Sequence, residues 1–121
     1  MIHIHYFITR KASMNDAEFH RYWRETHGPI AAKIPQLHRY VQSHRIPAFG
    51  SNSPYDGEAE VLVDGLDAMA ALRRSPEYLD GALADERNYV RLSSIYLGYL
   101  RDLMASPPGE DWDAAFTLYD K

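Results

Sequence analysis

With no cysteine in its 121 residues, this chain must do any side-chain chemistry with histidine, tyrosine and carboxylates. Disulfides, thiolate metal sites and cysteine nucleophiles are excluded within it. His27 stands in the most informative context. In N-D-A-E-F-H-R-Y-W-R-E-T-H-G-P (15–29), Phe19, Trp23 and His27 recur every four residues, which places them on one slowly drifting helical stripe. An imidazole on an apolar helix face has an ordinary pKa near 6.5 and can give and take a proton near neutrality. Burial or a neighbouring charge would tune it. Two roles stay open for His27: general acid/base, or a structural histidine that bonds a carbonyl and locks the turn after it.

Other chemistry-bearing groups are less specific. His3 and His5 share a strand face at i, i+2, and His38 and His44 could complete a metal site from an adjacent strand. Zinc usually takes three or four ligands with supporting outer contacts, so no metal is expected and solvated or dimer-face histidines are the plainer reading. Glu58 and Glu60 also share a face. They read as a carboxylate acid–base pair or as cross-strand charge matching with Arg39 or Arg45. His20 falls between helix faces and is expected to be exposed, beside a solvated face of Arg21, Arg24 and Glu25.

These residues need elements to position them. Ile2 to Thr9 alternates, with Ile2, Ile4, Tyr6 and Ile8 on one face and His3, His5, Phe7 and Thr9 on the other, which predicts a strand. A helix is expected from about Asp16 to Thr26, started by an Asn15–Glu18 capping box and stopped at Gly28-Pro29. Ile30 to Ile34 can add one further turn. Gln36 to Ile46 alternates again, its Tyr40, Gln42 and His44 face rich in hydrogen-bonding groups. Pro47 to Asp56 is dense in turn residues and is expected to be a loop that buries Phe49 and Tyr55. Gly57 to Asp64 is a third strand. A second helical region runs from Gly65 to Arg74, is reset at Ser75-Pro76, and continues to about Tyr89 with Leu79, Ala82, Leu83 and Glu86 on one face. Ser93 to Leu103 is a fourth strand with Gly98 as an expected bulge.

The order β-α-β-β-α-β predicts an α+β, ferredoxin-like fold: a four-stranded antiparallel sheet with two helices on one face. The opposite face still carries apolar and aromatic positions, and a second copy packed sheet to sheet is the simplest cover. A homodimer is therefore expected. Residues 105–121 hold Trp112, Phe116, Leu118 and Tyr119, too apolar for free disorder, and should dock on the 1–104 domain or across the dimer. The net charge of −4 argues against a nucleic-acid face built on bulk positive charge. No stretch has the roughly 18 apolar residues of a membrane helix, and no leader is recognisable. A cytoplasmic protein is expected. Nine tyrosines suggest pockets or contacts where one end of the ring needs a polar partner, or simply half-exposed strand positions.

Three segments together resemble the EthD family of dimeric α+β barrels: F-H-R-Y-W-R-E-T-H-G-P (19–29), L-H-R-Y-V-Q (37–42) and Y-D-G-E-A-E (55–60). The resemblance covers about residues 1–104 and implies a ferredoxin-like protomer that dimerises through its sheet, with a pocket between sheet and helices. Similar proteins include lactone isomerases and dehydratases or decarboxylases of aromatic polyketides, so it implies a cofactor-independent lyase or isomerase acting on an aromatic, polyketide-like or lactone molecule. The alternative is a non-catalytic dimer that binds a hydrophobic small molecule or accompanies an oxidative catabolic system. By this resemblance His27 matches the family's histidine before Gly-Pro and Tyr40 its pocket-side tyrosine. In an enzyme His27 would be the general acid/base, and Tyr40 is either the donor to a developing enolate oxygen or a sheet tyrosine at the dimer seam. Phe19 and Trp23 wall the pocket, and His5, His44 and Leu62 complete the expected substrate contacts. Leu62 stands where many members carry an aromatic residue, which implies a differently shaped pocket.

Overall fold

The computed structural model describes residues 1–46 and 53–99. The apex of the expected loop with Phe49, the fourth strand beyond Tyr99 and the docking of 105–121 lie outside these residues. Four strands form one antiparallel sheet in the order β2-β3-β1-β4: β1 (Ile2–Arg10), β2 (Arg39–His44), β3 (Gly57–Val63) and β4 (Val90–Tyr99). This is the ferredoxin-like arrangement, with helices on one face only. No helix among the described residues is long and apolar enough to cross a membrane.

The alternation in β1 sorts its side chains as expected. Ile2, Ile4 and Ile8 are buried beneath the helices, whereas His3, His5 and Phe7 are half-exposed on the open face. β3 follows the same rule: Ala59, Val61 and Val63 are buried, and Glu58, Glu60 and Leu62 face out. The core forms two clusters, one around Ile2, Ile4, Val61, Val63, Ile34 and Leu72, the other around Ile8, Phe19, Trp23, Ala59 and Tyr89. Burial of each large apolar side chain is worth about 1.5–3 kcal/mol, so these clusters fix how the helices lie on the sheet.

The first helical arm departs from expectation at its far end. α1 (Asp16–Tyr22) begins with the full Asn15–Glu18 capping box, in which Asn15 Oδ1 accepts from the Glu18 N–H and the Glu18 carboxylate accepts from the Asn15 N–H. Gly28-Pro29 does not stop it. A π-helical turn, Trp23–His27, carries the arm into α2 (Gly28–Ala31), with the Gly28 N–H donating to the Trp23 carbonyl. Gly28 has φ −52° and ψ −51°, an ordinary right-handed conformation. Pro29 sits in the first turn of α2, where a missing N–H costs nothing. The wide turn thus resets the hydrogen-bond ladder, and the arm reaches Ala31.

The second arm is α3 (Leu66–Arg74) followed, after Ser75-Pro76, by a π-helical segment Glu77–Leu83 and a short 3₁₀ turn Glu86–Asn88. Ser75 ends α3 and caps the π-helical segment: its hydroxyl donates to the Leu72 carbonyl and accepts from the Tyr78 N–H. Of the expected apolar stripe, Ala82 is buried but Leu79 and Leu83 are exposed, because the wide turn rotates them off the sheet. The irregularity expected at Gly98 lies instead opposite the end of β1, between Thr9 and Arg10. Asp56, buried just before β3, accepts from the Arg10 N–H and the Arg45 guanidinium, which ties the start of β3 to β1 and to the residue after β2.

Candidate functional site

An apolar cavity of about 50 Å³ lies between the sheet and the two helical arms. Trp23, His27 and Ala31 reach it from the first arm, Leu72, Tyr78, Ala82 and Glu86 from the second, and Tyr6, Tyr40, Ala59 and Val61 from the sheet. Tyr89, 2% exposed, closes one side. Four of the nine tyrosines meet here.

His27 is 6% exposed, its ring 4.8 Å from that of Tyr89 between centroids. Its Nδ1 lies 2.9 Å from Asp85 Oδ2. The other Asp85 oxygen accepts from the Tyr22 hydroxyl at 2.6 Å and from Asn88 Nδ2 at 2.9 Å. Burial works against the Asp85 carboxylate, but the hydrogen bonds from Tyr22, Asn88 and His27 outweigh it and hold its pKa below the usual value. Burial also lowers the His27 pKa, an effect Asp85 only partly offsets. The pair at neutral pH is therefore an ionised carboxylate beside a neutral imidazole whose proton sits on Nδ1 and donates to Asp85. That tautomer leaves the lone pair of Nε2 unengaged by any described residue. Such a nitrogen can accept a proton.

Tyr40 is held by Gln42, whose amide donates both to the Tyr40 hydroxyl oxygen and to the Trp23 carbonyl, each at 2.9 Å. Since the oxygen accepts, the Tyr40 O–H hydrogen remains available as a donor. Burial pushes the Tyr40 pKa up, with hydrogen bonding from Gln42 and Trp23 in opposition, so it stays a neutral phenol. Glu86 faces the same cavity without a side-chain hydrogen bond from any described residue, and desolvation, reinforced by Asp85, raises its pKa.

The sequence-derived set is thus partly gathered. His27, Tyr40 and Trp23 share the cavity. Phe19, fully buried, packs behind it against Trp23 and Tyr89. His44 lies on the other side of the Trp23 ring, 4.4 Å between centroids, and approaches His20 with 2.6 Å between their Nδ1 atoms. His20 is accordingly half-buried rather than exposed. His5 and Leu62 belong to the open face of the sheet, away from the cavity. Glu58 and Glu60 are partnered by His5 and His3, whereas Arg45 serves Asp56 and Asp16.

Asp85 and Glu86 were missed as a pair of site carboxylates. Asp85 meets its histidine across 58 residues of sequence, a separation at which spacing carries no signal. The only local hint is an Asp-Glu dipeptide inside an apolar helical stretch.

The model of the EthD domain matches residues 11–93. No curated protein matches the chain. Among solved structures it is similar to an EthD family protein from Bacillus halodurans, at 17% identity and TM-score 0.70 over 84% of this chain and 99% of that one. A dimeric ferredoxin-like protein of unknown function from Thermobifida fusca aligns at 17% identity and TM-score 0.67, covering 82% and 90%. SnoaB, a cofactor-independent oxygenase from Streptomyces nogalater, aligns at 16% and 0.56, covering 85% and 94%.

Proposed function

The chain belongs to the EthD family, and on that premise we propose that it is a small cofactor-independent enzyme of the lyase or isomerase type. Its substrate class is an aromatic, polyketide-like or lactone molecule, and its reaction a dehydration, decarboxylation or lactone isomerisation. The observation that carries this reading is the free Nε2 of a buried imidazole beside an apolar cavity, with Asp85 fixing the tautomer.

The proposed step moves one proton. Nε2 of His27 takes it from a carbon next to a carbonyl, and the C–H electron pair becomes an enolate. The Tyr40 O–H donates to the enolate oxygen, and the Asp85 carboxylate balances the imidazolium. The proton returns from Nε2 to another carbon or to a leaving oxygen. Glu86, its pKa raised, is the second group placed to deliver one. Acid–base assistance of this kind contributes roughly 10²–10⁴-fold.

The size of the cavity bears on entry. About 50 Å³ accommodates only a few waters, whereas an apolar cavity of about 150 Å³ holds benzene. Substrate must therefore displace side chains, and Tyr6, Leu37, Tyr40, Tyr78 and Glu86 are the lining residues that are half-buried rather than buried. The same small volume favours the second reading, a non-catalytic homodimer that binds a smaller hydrophobic molecule. Two of the similar structures are described as dimeric, and we propose a homodimer through the open sheet face in either case.

A thermal-shift screen of the full chain against phenols, lactones and anthrones tests the pocket, since a ligand raises the melting temperature only by binding the folded state. Compounds that bind are then assayed for turnover. Replacing His27 with Ala should lower turnover at least 10²-fold while the melting shift persists. Full turnover in that variant removes the enzymatic role of His27, and binding without turnover in the wild type selects the non-catalytic reading.

A further inference from the structure

On the open face of the sheet, remote from the cavity, two histidines of β1 and a glutamate of β3 converge. His3, His5 and Glu60 each present a ligand atom, and the three atoms lie within 4.8 Å of one another. We propose that they form a binding site for a divalent first-row transition metal, with zinc as its representative.

The backbone builds this cluster. His3 and His5, two residues apart, project on the same side of β1, and His5 stands directly opposite Glu60 in the antiparallel pair. His3 Nε2 is 3.3 Å from Glu60 Oε2. With zinc–ligand distances of about 2.0–2.1 Å, two ligands of a tetrahedral ion are separated by about 3.3 Å, so this pair already has the spacing that an ion between them requires. Bringing the remaining pairs to that separation takes about 1.5 Å of side-chain movement at most. The side chains are 23–29% exposed in the single chain, so an ion can enter there, and in the proposed homodimer the site would lie at the seam between the two sheets.

Glu58 supplies an independent feature. Its Oε1 lies 2.5 Å from His5 Nδ1, which leaves Nε2 of His5 as the nitrogen that would take the ion. A carboxylate that holds the distal nitrogen of a ligand histidine fixes the ring and favours the tautomer with a free Nε2 lone pair. Two imidazoles and one carboxylate suit zinc and its neighbours rather than calcium or magnesium, which prefer oxygen ligands. Three protein ligands leave a fourth position for water or an external ligand. The partners considered from sequence, His38 and His44, are elsewhere: His38 pairs with Asp64 and His44 with His20 on the helix side. β3 lies between β2 and β1 in the sheet, which is why Glu60 occupies the third place.

The test is isothermal titration of Zn²⁺ into the full chain, without a histidine tag and stripped of metal beforehand. The wild type should bind one ion per chain saturably. H3A, H5A and the near-isosteric E60Q should each weaken binding at least 10-fold, and E58Q about 10–100-fold through loss of the orienting carboxylate. H38A should bind as the wild type does. Circular dichroism and metal-free melting identify any variant that fails to fold, and E60Q, closest in shape to the native residue, then carries the decision. With Cu²⁺ as the probe, the electron paramagnetic resonance spectrum should show coupling to two imidazole nitrogens that H5A reduces to one. No saturable binding by the wild type overturns the proposal. So does wild-type affinity in H3A, H5A or E60Q, and so does loss of binding in H44Q instead, which would move the ion to the His20–His44 pair.

Discussion

The chemistry at the residue scale turns on how two histidine environments handle one proton. Burial lowers the His27 pKa below 6.5, so the base form persists throughout neutral pH. With His27 as the only essential titrating group, kcat/KM should be flat above pH 6.5 and fall on the acid side of it, and a further fall at higher pH would mark Glu86 as a required proton donor. Asp85→Asn should remove the carboxylate that holds the proton on Nδ1 and lower kcat/KM at least 10²-fold, with ligand-induced melting shifts retained; an unchanged rate would free His27 from its partner. His44 offers a second pH test. Gln42 Oε1 accepts from its Nε2–H, so its Nδ1 accepts from His20, and protonation is opposed by burial first, then by His20 and Arg24. These hold its pKa at about 4. A folded pKa below the unfolded value of 6.5 means full stability above pH 6.5 and progressive loss as pH falls toward 4. Between pH 7 and 4.5 the wild type should lose about 1–2 kcal/mol more than His44→Gln, allowing for solvent screening of a half-buried ring. Equal losses in urea titrations would show that His44 is not responsible. His27 was legible in the sequence because its helical stripe is local. Its meaning was not, because Asp85 and the His20–His44 contact depend on how distant segments meet.

Among the elements, the close approach of the first helical arm to β3 is the most exacting contact. A Cβ placed on Gly57 would lie 2.3 Å from Trp23 Cζ3 and 3.0 Å from the Ser43 carbonyl oxygen. The indole needs that vacancy to lie across the start of the strand. Gly57→Ala should cost about 1–3 kcal/mol by overpacking and, by shifting Trp23, should weaken ligand-induced melting shifts. Gly65→Ala, where a Cβ meets nothing within 4 Å, should stay within about 0.5 kcal/mol. Comparable destabilisation of the two variants in chemical denaturation would count against the contact. The elements themselves were read with uneven success for a physical reason. Helix starts are decided by neighbours, so the Asn15–Glu18 box was visible. Whether Gly28-Pro29 ends a helix depends on the core, and burial of Ala31 and Ile34 carries the chain onward through a π-helical turn.

For the whole molecule, the order β-α-β-β-α-β was enough to give the fold, since strand alternation is strong in β1 and β3 and the helices cover one face. The open face was harder to judge. It mixes Phe7, Val41, Leu62 and Tyr96 with His3, His5, Glu58, Glu60 and Arg39, whereas exposed Ile95 and Leu97 pair with Tyr6 and Ile4 and so belong to the helix side of the edge strand. A face of that mixed character can be solvated or can meet its own copy, with charge pairs already internal to each chain. The proposed homodimer predicts a solution mass twice the 13.9 kDa of the chain. Leu62 provides the decisive variant. It lies between His3 and Arg39 in the register, so a carboxylate there finds basic neighbours and should leave the single chain folded. Packed against a second sheet, that carboxylate and its basic neighbours would all have to shed water, and the same introduced carboxylate would recur from the partner across the two-fold, at a cost of several kcal/mol. Leu62→Glu should therefore halve the mass measured by light scattering at micromolar concentration and leave the circular dichroism unchanged. A dimer of undiminished affinity in that variant would put the seam elsewhere, and a monomeric wild type would leave the face to solvent.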